Sequence, residues 1–153
     1  KRKYNILIGL KTAEQIKKTL SDAMYDEDNE EEGDDILYVY GRNVITGLPS
    51  ERGVSKDTIY EAIKQFFDDI TDSIKNLLER TPPELSADII DTGIFLTGGS
   101  SSIKNLDKLI AKETDLKVNT VENAEDSVIR GISIIMSDSR YRKLMYEPRE
   151  SSF

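Results

Sequence analysis

From Ile59 the apolar residues recur at steps of three and four, through Ala62, Ile63, Phe66, Phe67, Ile70, Ile74, Leu77 and Leu78. That spacing predicts one long helix with a continuous apolar face, opening at Ser55 and ending near Arg80, because Thr81 precedes Pro82-Pro83. Phe66 and Phe67 are read as core residues of this stripe. Upstream, Thr12-Ala13-Glu14-Gln15 has the form of a capping box and predicts a helix from Ala13 to Met24, with Ile16 and Leu20 on its buried side. The β-rich runs Ile36–Tyr40 and Val44–Leu48 flank Gly41-Arg42-Asn43, which reads as a three-residue hairpin connection between antiparallel strands. Pro49 and Gly53 close that section.

Beyond Pro83 the pattern alternates. A helix from Glu84 to Ile90, a strand from Gly93 to Thr97, a helix from Ser102 to Lys112, a strand from Leu116 to Thr120 and a helix from Ala124 to Met136 are predicted. Strands separated by helices imply a parallel arrangement with helices on its faces, so the fold class is α/β. The nearly continuous apolar run Gly93-Ile94-Phe95-Leu96-Thr97 is expected to be a strand buried on both sides. Within 153 residues there is room for one compact domain or two small subdomains with a core of their own.

Composition removes several kinds of chemistry. The chain has no Cys and no His, which excludes disulfide frameworks, Cys or His zinc sites, Cys nucleophiles and Ser/His/Asp triads. Its net charge of -8 argues against nucleic acid as a partner, since neutralising phosphates needs a basic face. No apolar run is long enough to span a bilayer and no leader pattern is present, so a cytoplasmic location is the expectation. Lys1-Arg2-Lys3-Tyr4-Asn5 carries no start signal and leads straight into Ile6-Leu7-Ile8-Gly9, as expected of a chain cut from a larger protein. The acidic stretch Asp26–Asp35 reads as a solvated loop. A divalent-cation site is its sharper reading, although the EF-hand spacing is missing.

The segment richest in chemistry is Ile94-Phe95-Leu96-Thr97-Gly98-Gly99-Ser100-Ser101-Ser102-Ile103. A strand runs into a double glycine and a Ser-rich turn before an amphipathic helix, a construction that brings backbone amides and hydroxyls close to a ligand at the carboxyl edge of a sheet. A merely tight connection would look the same. Neither the Walker A spacing nor the full dinucleotide fingerprint is present.

Several segments, in order and at family-like separations, resemble the MreB family of bacterial actin-like cytoskeletal proteins. They are Arg2–Gly9, Thr12–Lys17, Gly41-Arg42-Asn43-Val44-Ile45-Thr46-Gly47-Leu48-Pro49, Glu79-Arg80-Thr81-Pro82-Pro83-Glu84-Leu85, Ala87–Ile90 and Leu96-Thr97-Gly98-Gly99. The resemblance runs from Arg2 to about Met136 and corresponds to the carboxyl-terminal two-fifths of such a protein. It implies an actin-like (ribonuclease H-like) ATPase fold. This chain would supply part of the second lobe: a connecting segment over 1–8, a small α+β subdomain over 9–52, part of the larger nucleotide-contacting subdomain over 53–136 and a basic, then disordered, tail over 137–153.

The same resemblance implies ATP with magnesium as cofactor, with Gly98, Gly99 and Ser100 against the nucleotide and Glu14 and Lys17 facing its adenosine. Read alone, Glu14 and Lys17 are a surface pair three apart on a helix. Filament partners are implied too, with the hairpin Ile36–Leu48 and the acidic loop as polymer contacts. Where the family usually continues its double glycine with Gly and Ala, this chain has Ser100-Ser101-Ser102. The two phosphate loops and the catalytic acid of the family lie upstream of Lys1, so hydrolysis by this chain alone is not expected. Arg140, Arg142 and Lys143 form a basic patch that could meet an anionic membrane at the inner face of the cell, against the alternative of a frayed helix end. Two other functions fit: another actin-like ATPase, of plasmid-segregating or chaperone type, or an acidic interaction module. The module would have a self-contained sheet with closed edges; the family reading expects an incomplete one.

Overall fold

The computed structural model describes residues 4–26 and 35–145. Most of the acidic loop, the first three residues and the end of the tail lie outside the described residues, as do the readings that fall on them. The first unit is a three-stranded antiparallel sheet in the order β1 (Ile6–Leu7), β2 (Leu37–Asn43), β3 (Pro49–Val54), with α1 (Leu10–Leu20) packed on it. Ile16 and Leu20 of α1 meet Val39 and Val54 of the sheet in a buried cluster that also touches Ile59.

The long helix is α2 (Lys56–Glu79), capped by Ser55 and ending at Arg80, as its spacing predicts. Phe67 is 2% exposed and joins Ala23, Leu106 and Ile110 in a second buried cluster. Its neighbour Phe66 is 48% exposed, which corrects the reading of both rings as core. Adjacent residues on a helix point about 100° apart, so only one of the two can face the same cluster. Thus α2 contributes its first turns to one core and its middle to the other.

Downstream come α3 (Pro83–Thr92), β4 (Ile94–Leu96), α4 (Leu106–Thr114), β5 (Val118–Thr120) and α5 (Ser127–Ser137), with 3-10 turns at Gly99–Ser102, Ala124–Asp126 and Ser139–Leu144. β4 and β5 pair in parallel, Ile94 opposite Val118 and Leu96 opposite Thr120. Gly93 makes the entry possible: its φ is +80°, and a side chain there would meet the Lys117 carbonyl at 2.4 Å. β4 is not buried on both faces, for Phe95 is 64% exposed. Only two strands form this sheet among the described residues, and no layer covers its far face. On α5, Val128, Ile129, Ile132 and Met136 are likewise exposed.

Three further predictions are corrected. The hairpin turn lies at Val44–Leu48, not at Gly41-Arg42-Asn43, since β2 runs through Asn43 and pairs Arg42 with Pro49. The Asn43 side-chain oxygen accepts the amides of Ile45 and Thr46 at 2.8 and 3.1 Å, and Gly47 takes φ +75°, so turn chemistry overrides the β-propensity of Val44-Ile45. α1 starts at Leu10 with Gly9 as its cap and without a side-chain cap bond, so the Thr12 capping box is not formed; the helix ends at Leu20 rather than Met24. The helix expected from Ser102 begins only at Leu106, because Ile103 is extended and Asn105 is left-handed, with φ 59°.

Candidate functional site

The double glycine sits where β4 leaves its sheet. Gly98 has φ +85°, a conformation that glycine adopts without strain. Its amide donates to the Ala124 carbonyl at 2.8 Å, while its carbonyl accepts the Ser101 amide at 3.1 Å and the Ser101 hydroxyl at 2.7 Å. These bonds hold the turn Gly99–Ser102 against the turn Ala124–Asp126. Glu125 is thereby set beside Gly99, with its Cγ 3.8 Å from where a Cβ at Gly99 would lie.

Lys17 and Lys18 of α1 face that turn. A cleft of about 170 Å³ is lined by Lys17, Lys18, Gly99, Ser102, Ile103 and Glu125. A second, polar cleft of about 400 Å³ shares Ser102 and Glu125 with it and is lined further by Ser101, Thr120, Asn123 and Asp126. Of the residues singled out from sequence, the structure brings Lys17 and Gly99 onto one cleft. Glu14 stands one helical turn away and reaches it through Lys18, whose ammonium lies 3.1 Å from Glu14 and 4.0 Å from Glu125. Glu14 therefore pairs with Lys18 rather than with Lys17. The Glu14 bond and charge, then the Glu125 charge, push the Lys18 pKa up. Lys17 has no ion-pair partner among the described residues. Ser100 is exposed and lines neither cleft.

Sequence reasoning missed Lys18 and Glu125, and covered Ser102 and Ile103 only as members of the glycine-serine stretch, not as site residues. The signal available for Glu125 was weak, a carboxylate ahead of a helix; its proximity to Gly99 comes from the Gly98 to Ala124 bond.

Asp22, just past the end of α1, is buried. Its carboxylate accepts Asn105 Nδ2 at 2.7 Å, Lys104 Nζ at 2.9 Å and the Met24 amide at 3.1 Å. Burial pushes its pKa up, but the Asn105 and Lys104 bonds, the Met24 amide and the Lys104 charge together hold it below the usual 3.8. A carboxyl depressed on folding stabilises the folded state above its unfolded value, and that stability is lost as pH falls through the folded value. Thermal melts should therefore show wild type more stable than Asp22→Asn at pH 7, with the advantage shrinking below pH 3.8. An advantage that did not diminish at all as the pH fell below 3.8 would contradict this assignment.

In the tail, Arg140 donates to both oxygens of Asp138, at 2.6 to 3.1 Å, so its charge is already paired. Lys143 is exposed; the Arg142 side chain lies outside the described residues. Among the described residues no helix is long and apolar enough to cross a membrane. No cluster of three or more acidic or metal-ligating residues that could hold a metal ion occurs among them either.

An antiparallel unit carrying α1, set across a cleft from a glycine turn at the end of a parallel strand, is an α/β arrangement of the kind that resemblance to the actin-like class implies. A family model described as MreB/Mbl protein matches residues 1–143. The chain belongs to the MreB/Mbl family. It is 38% identical over 138 residues to the cell shape-determining protein Mbl of Bacillus subtilis, covering 90% of this chain and 40% of that protein. It is 37% identical over 131 residues to the cell shape-determining protein MreB of Escherichia coli K12, covering 86% of this chain and 36% of that one. Among solved structures, MreB5 of Spiroplasma citri bound to AMPPNP aligns with a TM-score of 0.79 at 33% identity, over 94% of this chain and 41% of the other. The ADP-bound form gives 0.80 at the same identity, over 94% and 42%. The chain thus spans about 40% of the length of the relatives it matches.

Proposed function

We propose that this chain is part of an ATP-dependent, actin-like filament protein that determines cell shape in a bacterium, and that it contacts the nucleotide from one side. The observation that carries this reading is the cleft on which Lys17 and Gly99 meet, in a chain whose solved relatives hold AMPPNP and ADP. Gly98 and Gly99 give close backbone approach, Lys17 an ammonium with no ion-pair partner among the described residues, and Ser102 a hydroxyl. Glu14 acts by holding Lys18, and Ser100 serves from the outer side of the turn. Magnesium would arrive with ATP.

Residues 9–52 act as the small subdomain and 53–136 as part of the larger one; the two apolar clusters support that division in the main, with Val54 and Ile59 packing into the first cluster and Ala23 into the second. For filament contact the support is the hairpin, where Ile45 is 76% exposed and Val44, Leu48, Tyr38 and Tyr40 are exposed with it. The protein works in the cytoplasm and meets the inner face of the membrane through Lys143 and Arg142 with Arg140, the last weakened for that role by its bond to Asp138.

A titration of the full-length polypeptide carrying these residues with a fluorescent ATP analogue and magnesium tests the nucleotide reading. Wild type should bind, and Lys17→Ala should bind about tenfold more weakly, since a hydrogen bond to a charged group is worth about 1.5–3 kcal/mol. Equal affinity of the two proteins would remove Lys17 from the site.

A further inference from the structure

A buried carboxylate costs more than it returns unless its partners are in place, and such groups are often better explained by the geometry they fix than by stability. Asp22 is 3% exposed and lies just past the Ser21 cap of α1. Its side-chain partners, Lys104 and Asn105, follow the turn Gly99–Ser102 closely in sequence. The two backbones also meet: the Ala23 amide donates to the Lys104 carbonyl at 2.8 Å, and Asp22 and Lys104 form an isolated parallel bridge.

This junction adjoins the cleft. Lys18, on one wall, lies in the last turn of α1, four residues before Asp22; Ile103, on the other, directly precedes Lys104. The α1 side chains Ile16 and Leu20 belong to one apolar cluster and Leu106 and Ile110 to the other, while Ala23, next to Asp22, packs with the second. At this end the spacing of α1 from the glycine turn is set by the polar junction together with Ala23.

We propose that Asp22 is a positioning residue for the nucleotide cleft: its bonds to Lys104 and Asn105 fix the distance between α1 and the Gly98-Gly99 turn and so the affinity for ATP. This rests on the nucleotide reading above. Asp22 touches no nucleotide in this account; it acts through the placement of Lys17 and Gly99.

The test compares wild type, Asp22→Asn, Asn105→Asp and the exchanged pair Asp22→Asn/Asn105→Asp in the full-length polypeptide, titrated with mant-ATP and magnesium at pH 7, each with a thermal melt. Asp suits the left-handed conformation at position 105 nearly as well as Asn does. Each single substitution should raise the Kd about tenfold, one by removing the charge that Lys104 meets and the other by opposing two carboxylates. The exchanged pair restores a donor and an acceptor across the junction and should return the Kd to within about threefold of wild type. Lys75→Ala, which removes the exposed 2.5 Å pair with Glu113 between α2 and α4, should leave the Kd unchanged. If wild type binds and the single variants lose melting temperature but keep its Kd, Asp22 is structural only and the proposal fails. Recovery of melting temperature without recovery of Kd in the exchanged pair sinks it equally. If wild type itself binds no mant-ATP, the nucleotide reading falls and takes this inference with it.

Discussion

Gly99→Asp should abolish measurable ATP binding while leaving the fold intact. A side chain at Gly99 meets nothing closer than Glu125 at 3.8 Å, an ordinary contact, and Gly99 does not need the left-handed conformation that Gly98 adopts. The new carboxylate would stand beside Glu125 and face the proposed site of an anionic ligand. Like charges brought together at a binding surface cost several kcal/mol, so affinity should fall by about a hundredfold or more. Calorimetric titration with ATP measures the loss, and a melting temperature close to wild type shows that the loss is local. Retained affinity would mean that the nucleotide does not approach this turn. A collapsed melting temperature would mean that the surroundings of Gly99 are tighter than described.

Phe67→Ala should cost about 3–5 kcal/mol of stability, the range for truncating a buried aromatic ring. Phe67 is the large side chain through which α2 joins Ala23, Leu106 and Ile110, so its loss opens a cavity between α2 and α4 just behind the Asp22 junction. Phe66→Ala is the internal comparison. That ring is 48% exposed and touches Phe67 at a centroid distance of 6.1 Å, so its loss should cost much less, about 1 kcal/mol. Urea midpoints of the two variants measure the difference. Equal losses would contradict the description of which ring is buried.

The difference between those adjacent rings illustrates what the sequence can carry. The period along α2 predicts a helix, its face and its stop at Thr81-Pro82, because each signal is local. A stripe that wide holds both rings, and only the position of α4, supplied by residues about 40 positions further on, decides which is covered. The hairpin failed for a different reason. Val44-Ile45 has the composition of a strand, but Asn43 can hydrogen-bond its own turn and Gly47 can take positive φ. Asn43 and Gly47 bracketing the run were the available signals. β1 has only two residues, too few for any period to show. Phe95 misled because an apolar run signals burial in some assembly; among the described residues that face of β4 stays largely open, with Phe95 64% exposed.

The site was legible in part. A double glycine after an apolar strand announces a backbone that something can approach, and Lys17 came from family resemblance, not from spacing. Asp22 and Asn105 are 83 positions apart and neither belongs to a motif, so no reading of the sequence links them. Glu125 stays equally silent until the Gly98 amide is seen to bond to Ala124.

The central claim, nucleotide-dependent self-assembly, is tested most directly by sedimentation of the full-length polypeptide with magnesium and ATP, with magnesium alone, and as Gly99→Asp with both. Wild type should pellet in ATP and remain soluble without it, and Gly99→Asp should remain soluble throughout. Wild type that stays in the supernatant with saturating ATP, or that pellets equally without nucleotide and as Gly99→Asp, would contradict the account.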